Sequence, residues 1–170
     1  MIISIISSNS ISSSSEEAFS LSEKSALGEK TSGKIFYSGF EALYLLEKHK
    51  MQLFSGKRPI SFEQLMNKLK KKDKKIEIKY TVYLDLRSKG YILKEALKFG
   101  ADFRAYDKGT RPGSSHAPWL IHVTDSSEKI TWYEFSGKNR IAHSTKKKLL
   151  IAIVDSESSV SYYEIDWKRL

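Results

Sequence analysis

Apolar residues recur at helical spacing in some segments and gather in short β-branched runs in others, so the chain predicts a mixture of helices and strands. Residues 2–6 are β-branched apart from one serine and predict a first strand. The serine-rich residues 7–15 predict a loop. Residues 16–29 place Phe19, Leu21, Ala26 and Leu27 at intervals that predict an amphipathic helix.

Two helix starts carry a capping-box signature. Ser38 is followed three residues later by Glu41, and Ser61 is followed by Gln64 at the same interval. A serine hydroxyl can accept a hydrogen bond from the third helical N–H, while the acidic or amide side chain returns a bond to the cap. Helices are therefore predicted to begin just after both serines.

The rest of the chain predicts one helix followed by several strands. Residues 80–89 have helical spacing and stop at Gly90. Strands are predicted at 91–93, up to 106, at 119–124, at 149–154 and at 160–167. Residues 130–135 fit a strand or a helix start, and residues 137–147 a helix after a turn. This order indicates an α+β or mixed α/β fold. The lysine-rich segment 68–75 suggests a boundary between domains at 1–75 and 76–170.

Composition narrows the class of protein. The net charge of +9 favours a polyanionic partner, and the excess is shared by both halves of the chain. The absence of cysteine excludes disulfides, thiolate zinc sites and a cysteine nucleophile. No apolar run is long enough to span a membrane, and the first residues lack the features of a signal peptide. We therefore expect a cytoplasmic protein without a membrane partner.

Several separated motifs in the second half resemble one known family. They are Asp-Leu-Arg-Ser-Lys-Gly-Tyr-Ile-Leu-Lys at 85–94, Lys-Phe-Gly-Ala-Asp-Phe at 98–103, Tyr106 with Gly109, His-Ser at 143–144, Ala-Ile-Val-Asp at 152–155 and Tyr-Tyr at 162–163. Their order is similar to that in the C-terminal domain of the archaeal-type tRNA-splicing endonucleases. A weaker resemblance to the N-terminal domain of the same family covers 39–47. The resemblance implies a small N-terminal α/β domain and a C-terminal nuclease-like domain with a central mixed sheet flanked by helices.

The resemblance also implies a function and a catalytic triad. Members of the family cut precursor tRNA at bulge-helix-bulge exon–intron junctions by a metal-independent transesterification, leaving a 2′,3′-cyclic phosphate and a 5′-hydroxyl. The family's general base maps to Tyr106, its general acid to His116 and its transition-state cation to Lys147. No cofactor is implied.

These residue types suit the reaction. A free phenol titrates near pH 10, roughly, so a tyrosine base needs nearby cations, which Arg104, Lys108 and Lys147 could supply. An imidazole can protonate a leaving oxygen near neutral pH. Taken singly, each residue has an ordinary structural interpretation: a packed strand tyrosine, a loop histidine, and one of three adjacent solvated lysines.

Further contacts follow from the resemblance alone. Arg140 matches a family arginine that stacks on a bulged base, and a planar guanidinium is suited to that contact. The family's second basic clamp has no clear counterpart, although Tyr162 and Trp167 lie near its position. Residues 155–158 occupy a loop that in relatives inserts into an opposing subunit. We expect precursor tRNA and other endonuclease subunits as partners, in a homotetramer or a heterotetramer.

Two alternatives remain open. A metal-dependent nuclease would use carboxylates such as Asp102, Asp107 and Glu134 with Lys138, although these lack a tight motif. The chain could also be a non-catalytic structural subunit or an RNA-binding module of the same complex. His122 and His49 are interpreted as structural.

Overall fold

The computed structural model describes residues 1–8, 10–110 and 112–170, which divide into two compact units, Met1–Glu77 and Ile78–Leu170. Both units combine helices with a mixed sheet, which confirms the α+β class. The division into functional domains at 75/76 stays a prediction. No helix in the described part of the chain has the length and apolar character needed to cross a membrane.

The elements of the first unit are β1 (Ile2–Ser7), β2 (Ser10–Ser13), α1 (Glu16–Ser25), β3 (Glu29–Thr31), β4 (Lys34–Tyr37), α2 (Gly39–Glu47), β5 (Met51–Ser55), β6 (Arg58–Ile60) and α3 (Phe62–Lys70). The strands form a six-stranded sheet in the order β3-β4-β2-β1-β5-β6, and among the described residues only β1 and β5 pair in parallel. Alternate residues of β1 are buried, so one face of the sheet carries the core.

Local signals set the helix starts of this unit. Both predicted capping boxes form, Ser38 with Glu41 and Ser61 with Gln64, so α2 and α3 begin where the sequence predicts. The buried Glu41 carboxylate also accepts a hydrogen bond of 2.9 Å from the backbone N–H of Gly28. This one side chain therefore holds the start of α2 and the chain before β3 together.

The predicted loop over residues 7–15 is wrong, because Ser10–Ser13 forms β2 between β1 and β4. The Ser13 hydroxyl, in a buried residue, donates to the backbone carbonyl of Ile3 at 2.6 Å. Serine favours loops because its hydroxyl can hydrogen-bond backbone groups that would otherwise pair in a helix or sheet. Here the Ser13 hydroxyl makes its hydrogen bond within the sheet. Tertiary pairing overrides the local preference.

The elements of the second unit are α4 (Ile76–Ser88), β7 (Ile92–Glu95), a 3-10 helix (Leu97–Phe99), β8 (Phe103–Tyr106), β9 (Trp119–Asp125), α5 (Trp132–Ser144), β10 (Lys148–Val154) and β11 (Val160–Ile165). The strands form a five-stranded sheet in the order β11-β10-β9-β8-β7, with β9 and β10 parallel and the other pairs antiparallel.

The two helices cover opposite faces of this sheet. Ala142 of α5 packs with Leu120 and Leu149, whereas Tyr83 of α4 packs against Phe103. Phe103 pairs with Ile121, which is the residue next to Leu120 on β9. Because successive side chains of a strand point to opposite faces, Leu120 and Phe103 lie on opposite faces of the sheet. We call these the α5 face and the α4 face.

The predicted turn before a helix at 137–147 is wrong, because α5 already begins at Trp132 and Gly137 lies inside it; of the two alternatives for residues 130–135, the helix start is the one that forms. Thr131 and Glu134 form a third capping box at its start. A favourable cap outweighs the cost of about 1 kcal/mol that an interior glycine imposes on a helix.

Candidate active site

Tyr106 is the last residue of β8 and is almost fully buried. It pairs with Ile92 of β7 on one side. Arg104, two residues earlier on the same strand, projects from the same face and brings its Cζ to 6.0 Å from the centre of the Tyr106 ring. The Nε atom of Arg104 is buried without a hydrogen-bond partner among the described residues. The phenol therefore has a guanidinium as its neighbour.

Lys147 follows α5 and is positioned by the way that helix ends. Lys146 adopts the left-handed conformation, with φ of 56°. The backbone N–H of Lys147 donates to the carbonyl of Ala142 at 2.8 Å, and that of Lys146 to His143 at 3.0 Å. This pair of bonds is a Schellman motif, which normally has glycine at the left-handed position. The motif fixes the backbone that carries Lys147.

The structure separates the three adjacent lysines. Burial lowers the pKa of Lys147, and the positive charge of Arg104 lowers it further. Lys148 instead forms an ion pair with Glu164 at 2.6 Å, and that hydrogen bond raises its pKa. Lys146 is exposed. Only Lys147 of the three shares an electrostatic environment with the strand that holds Tyr106.

His116 lies in the segment between β8 and β9, three residues before β9 begins. Its side chain is exposed, whereas the next residue, Ala117, is buried. Gly109 and Gly113 both have positive φ in this segment, where glycine is the residue of lowest cost. The imidazole thus stands on an anchored but solvent-facing stretch of chain.

The register of the sheet places all three positions at one edge. Ala105, Trp119 and Lys148 form one row across β8, β9 and β10. Tyr106 follows this row, Lys147 precedes it, and His116 lies shortly before Trp119. Since neighbouring strands are about 4.8 Å apart, Ala105 and Lys148 lie about 10 Å apart across this row, and Tyr106 and Lys147 are their neighbours along the chain. In the described part of the chain no hydrogen bond directly joins two of the three side chains.

Arg140 lies on the exposed side of α5. One turn later His143 packs against the ring of Trp167, with ring centres 4.6 Å apart and planes at 40°. Trp167 therefore lies near the same end of α5 as Arg140.

Tyr162 lies on the α4 face of the sheet. Its hydroxyl donates to Asp85 Oδ2 at 2.6 Å, and burial together with this bond raises its pKa. It also lines a cavity of about 270 Å³ on the α4 face with Leu86, Tyr91, Trp119 and Leu150. This cavity is on the opposite face of the sheet from Arg104, so it is not the space between the three catalytic candidates.

The carboxylates of the metal-dependent alternative do not converge. Asp102 and Asp107 flank opposite ends of β8. The Asp102 carboxylate accepts the backbone N–H of Val123 at 2.8 Å and pairs with Lys79 at 2.7 Å. Glu134 accepts hydrogen bonds from Thr131 at the start of α5. Asp102 and Glu134 therefore each have their own structural partners, and they lie on separate elements of the fold.

His122 has the environment expected of a structural histidine. It is buried on the α5 face, and its Nδ1 lies 3.1 Å from Nζ of Lys138. Burial, followed by the positive charge of Lys138, lowers its pKa to about 4. The neutral ring can therefore accept the lysine's hydrogen bond and link α5 to β9.

Comparison with known proteins agrees with this architecture. The sequence model described as tRNA intron endonuclease, catalytic C-terminal domain, matches residues 76–162, and the one described as the N-terminal domain matches residues 2–66. A tRNA-splicing endonuclease of Thermococcus onnurineus is 40% identical, covering 92% of this chain and 94% of the relative. One of Thermococcus gammatolerans is 36% identical over 99% of both chains, and one of Nanoarchaeum equitans is 41% identical over 76% and 86%.

Because its second half matches the catalytic domain of an endonuclease that acts on tRNA introns, the chain is an endoribonuclease. The chain belongs to the tRNA intron endonuclease family.

Proposed function

We propose that this chain is the catalytic subunit of a tRNA-splicing endonuclease that cuts precursor tRNA at bulge-helix-bulge exon–intron junctions. The observation that supports it best is that one edge of the second sheet carries Tyr106 at the end of β8, His116 shortly before β9 and Lys147 just before β10. The membership of the family supplies the substrate class.

The reaction is a transesterification that needs no metal. Tyr106 takes the proton of the 2′-hydroxyl, and the 2′-oxygen attacks the adjacent phosphorus. The bond from phosphorus to the 5′-oxygen breaks, and His116 donates its proton to that leaving oxygen. The products are a 2′,3′-cyclic phosphate and a 5′-hydroxyl. Lys147 stabilises the negative charge that develops on the phosphorane, with Arg104 beside it as a second cation.

Substrate positioning falls to the exposed end of α5. Arg140 stacks on an unpaired base at the junction. Trp167, packed on His143 near Arg140, is the better candidate for the second stacking side chain. Tyr162 is the poorer one, because its hydroxyl is bonded to Asp85 on the α4 face.

The active assembly contains four such units, either identical or in pairs with a structural subunit, and works in the cytoplasm. The turn after β10 is the proposed contact with an opposing subunit. Asp155 Oδ1 accepts the backbone N–H groups of Glu157 and Ser159 at 2.9 and 2.8 Å, so it stabilises its own turn. Glu157 is then the carboxylate available to a basic partner surface.

The test is cleavage of an intron-containing precursor tRNA in excess EDTA, with chemical identification of both new ends. We expect cleavage with the cyclic phosphate and 5′-hydroxyl ends, and we expect His116→Ala to bind the RNA but not cut it. Loss of cleavage in EDTA would support the metal-dependent alternative. Binding without cleavage by the wild-type chain, both alone and with a structural partner subunit, would identify a structural or RNA-binding subunit.

A further inference from the structure

The start of α5 exposes an aromatic side chain that no local contact explains. Tyr133 is 89% exposed. Across the described residues, no hydrogen bond or ring contact involves it. Its neighbour Trp132 is also exposed, but the Trp132 ring packs edge-on against Phe135, with centres 5.7 Å apart. A free tyrosine ring in the first turn of a helix contributes nothing visible to the fold.

Tyr133 lies on the same stripe of the helix as Arg140. Seven residues of an α-helix advance the chain by about 700°, which returns to within about 20° of the starting direction. The rise is about 10.5 Å. The stripe between the two side chains is formed by Ser136 and Gly137, and a Cβ atom at Gly137 would meet no atom within 4 Å. The Tyr133 ring and the Arg140 guanidinium thus lie on either side of an open surface over Ser136 and Gly137, which we call the shelf.

The dimensions of this shelf fit stacked bases. Bases in a strand stack about 3.4 Å apart. A ring, two bases and a guanidinium placed in succession need three such intervals, or about 10 Å, which matches the rise between the two residues. Aromatic rings and arginine side chains are the two kinds of group on which unpaired bases stack.

The charge of the chain favours RNA over a protein partner. Arg140 places a positive charge at one end of the shelf, and the chain as a whole carries a net charge of +9. Glu134, the acidic residue of α5, is held in the helix cap by hydrogen bonds from Thr131. The surface also continues from the proposed Arg140 contact, since α5 ends at the sheet edge that carries Lys147.

We propose that Tyr133 is a further base-stacking residue for the substrate RNA, which with Arg140 holds a short stack of unpaired bases along α5. The inference rests on the proposed function. It extends the RNA contact by about two helical turns from the end of α5 that lies nearest the cleavage site.

The test is single-turnover cleavage of an intron-containing precursor tRNA over a range of enzyme concentrations. We expect Tyr133→Ala to raise the concentration for half-maximal rate about tenfold while the maximal rate is unchanged. Tyr133→Phe should restore wild-type binding, because the ring rather than the hydroxyl stacks. Trp132→Ala, a matched exposed aromatic that points to another side of the helix, should bind within about twofold of wild type.

Three outcomes would overturn the proposal: unchanged binding by Tyr133→Ala, an equal loss in Trp132→Ala, or a loss accompanied by a change in the mass of the assembly. The last would show that the surface contacts protein. A wild-type chain that fails to cleave both alone and with a structural partner subunit would refute the proposed function instead, which keeps the two failures distinguishable.

Discussion

His122 makes the stability of the second unit depend on pH in a way that can be calculated. Its pKa in the folded protein is about 4, because the ring is buried and faces Lys138. Asp102, whose charge favours the protonated ring, and Lys79 also act on it, but more weakly. In the unfolded chain a histidine titrates near pH 6.5, roughly. The two states therefore bind protons over different pH ranges.

The sign follows from linkage. As the pH falls below about 6.5, His122 binds a proton in the unfolded chain but not yet in the folded protein, so the free energy of unfolding decreases. The decrease ends near the folded pKa of about 4. Between pH 7 and pH 5 the expected loss is about 2 kcal/mol.

The assay is urea unfolding followed by tryptophan fluorescence at fixed protein concentration. Trp119, Trp132 and Trp167 are the tryptophans of the chain and all lie in the second unit, so the signal reports that unit alone. His122→Asn is the matched variant, because asparagine keeps an acceptor near the position of Nδ1 but does not titrate. Equal pH dependence in wild type and variant would refute the reasoning.

Three further perturbations have definite outcomes. Gly28→Ala should destabilise the first unit by more than about 1 kcal/mol, as seen by circular dichroism, because φ is +78° and the new Cβ would lie 2.3 Å from Ile35 Cγ2; unchanged stability would contradict this. Asp102→Ala should cost about 3 kcal/mol in the same tryptophan assay, because it removes the carboxylate that pairs with the largely buried Lys79 and accepts the backbone N–H of Val123, and a loss below ~1 kcal/mol would argue against the importance of these contacts. Arg104→Met should raise the pKa of Lys147 by removing a neighbouring cation, so activity should persist to higher pH; an unmoved alkaline limit of the cleavage rate would exclude this coupling.

The local signals in the sequence predicted much of the fold. Both serine capping boxes formed, and Gly90 ends the first helix of the second unit with φ of 93°. Thr131 and Glu134 carry the same signature, so the start of α5 was available to the same reasoning. The strand β2 could not be predicted from local signals, because its serines become strand residues only through pairing with β1 and β4.

The candidate site was predictable in its residues but not in its surroundings. The resemblance to the family indicated Tyr106, His116 and Lys147, and these roles stay predictions. The proximity of Arg104 to Lys147 depends on the register of three strands, which the sequence alone does not reveal. Tyr133 was also missed, although its spacing of seven residues before Arg140 was a usable signal once α5 was recognised.

The most direct test of the central claim is whether the three side chains act as one catalytic unit. Single-turnover cleavage would be measured for Tyr106→Phe, His116→Ala, Lys147→Ala and the triple variant, with Lys146→Ala as the control for lysine removal. We expect each single change to slow cleavage at least ~100-fold and the triple variant to be little slower than the worst single one, since residues of one unit are not additive. Losses that multiply, or a single variant that cuts at the wild-type rate, would contradict the account.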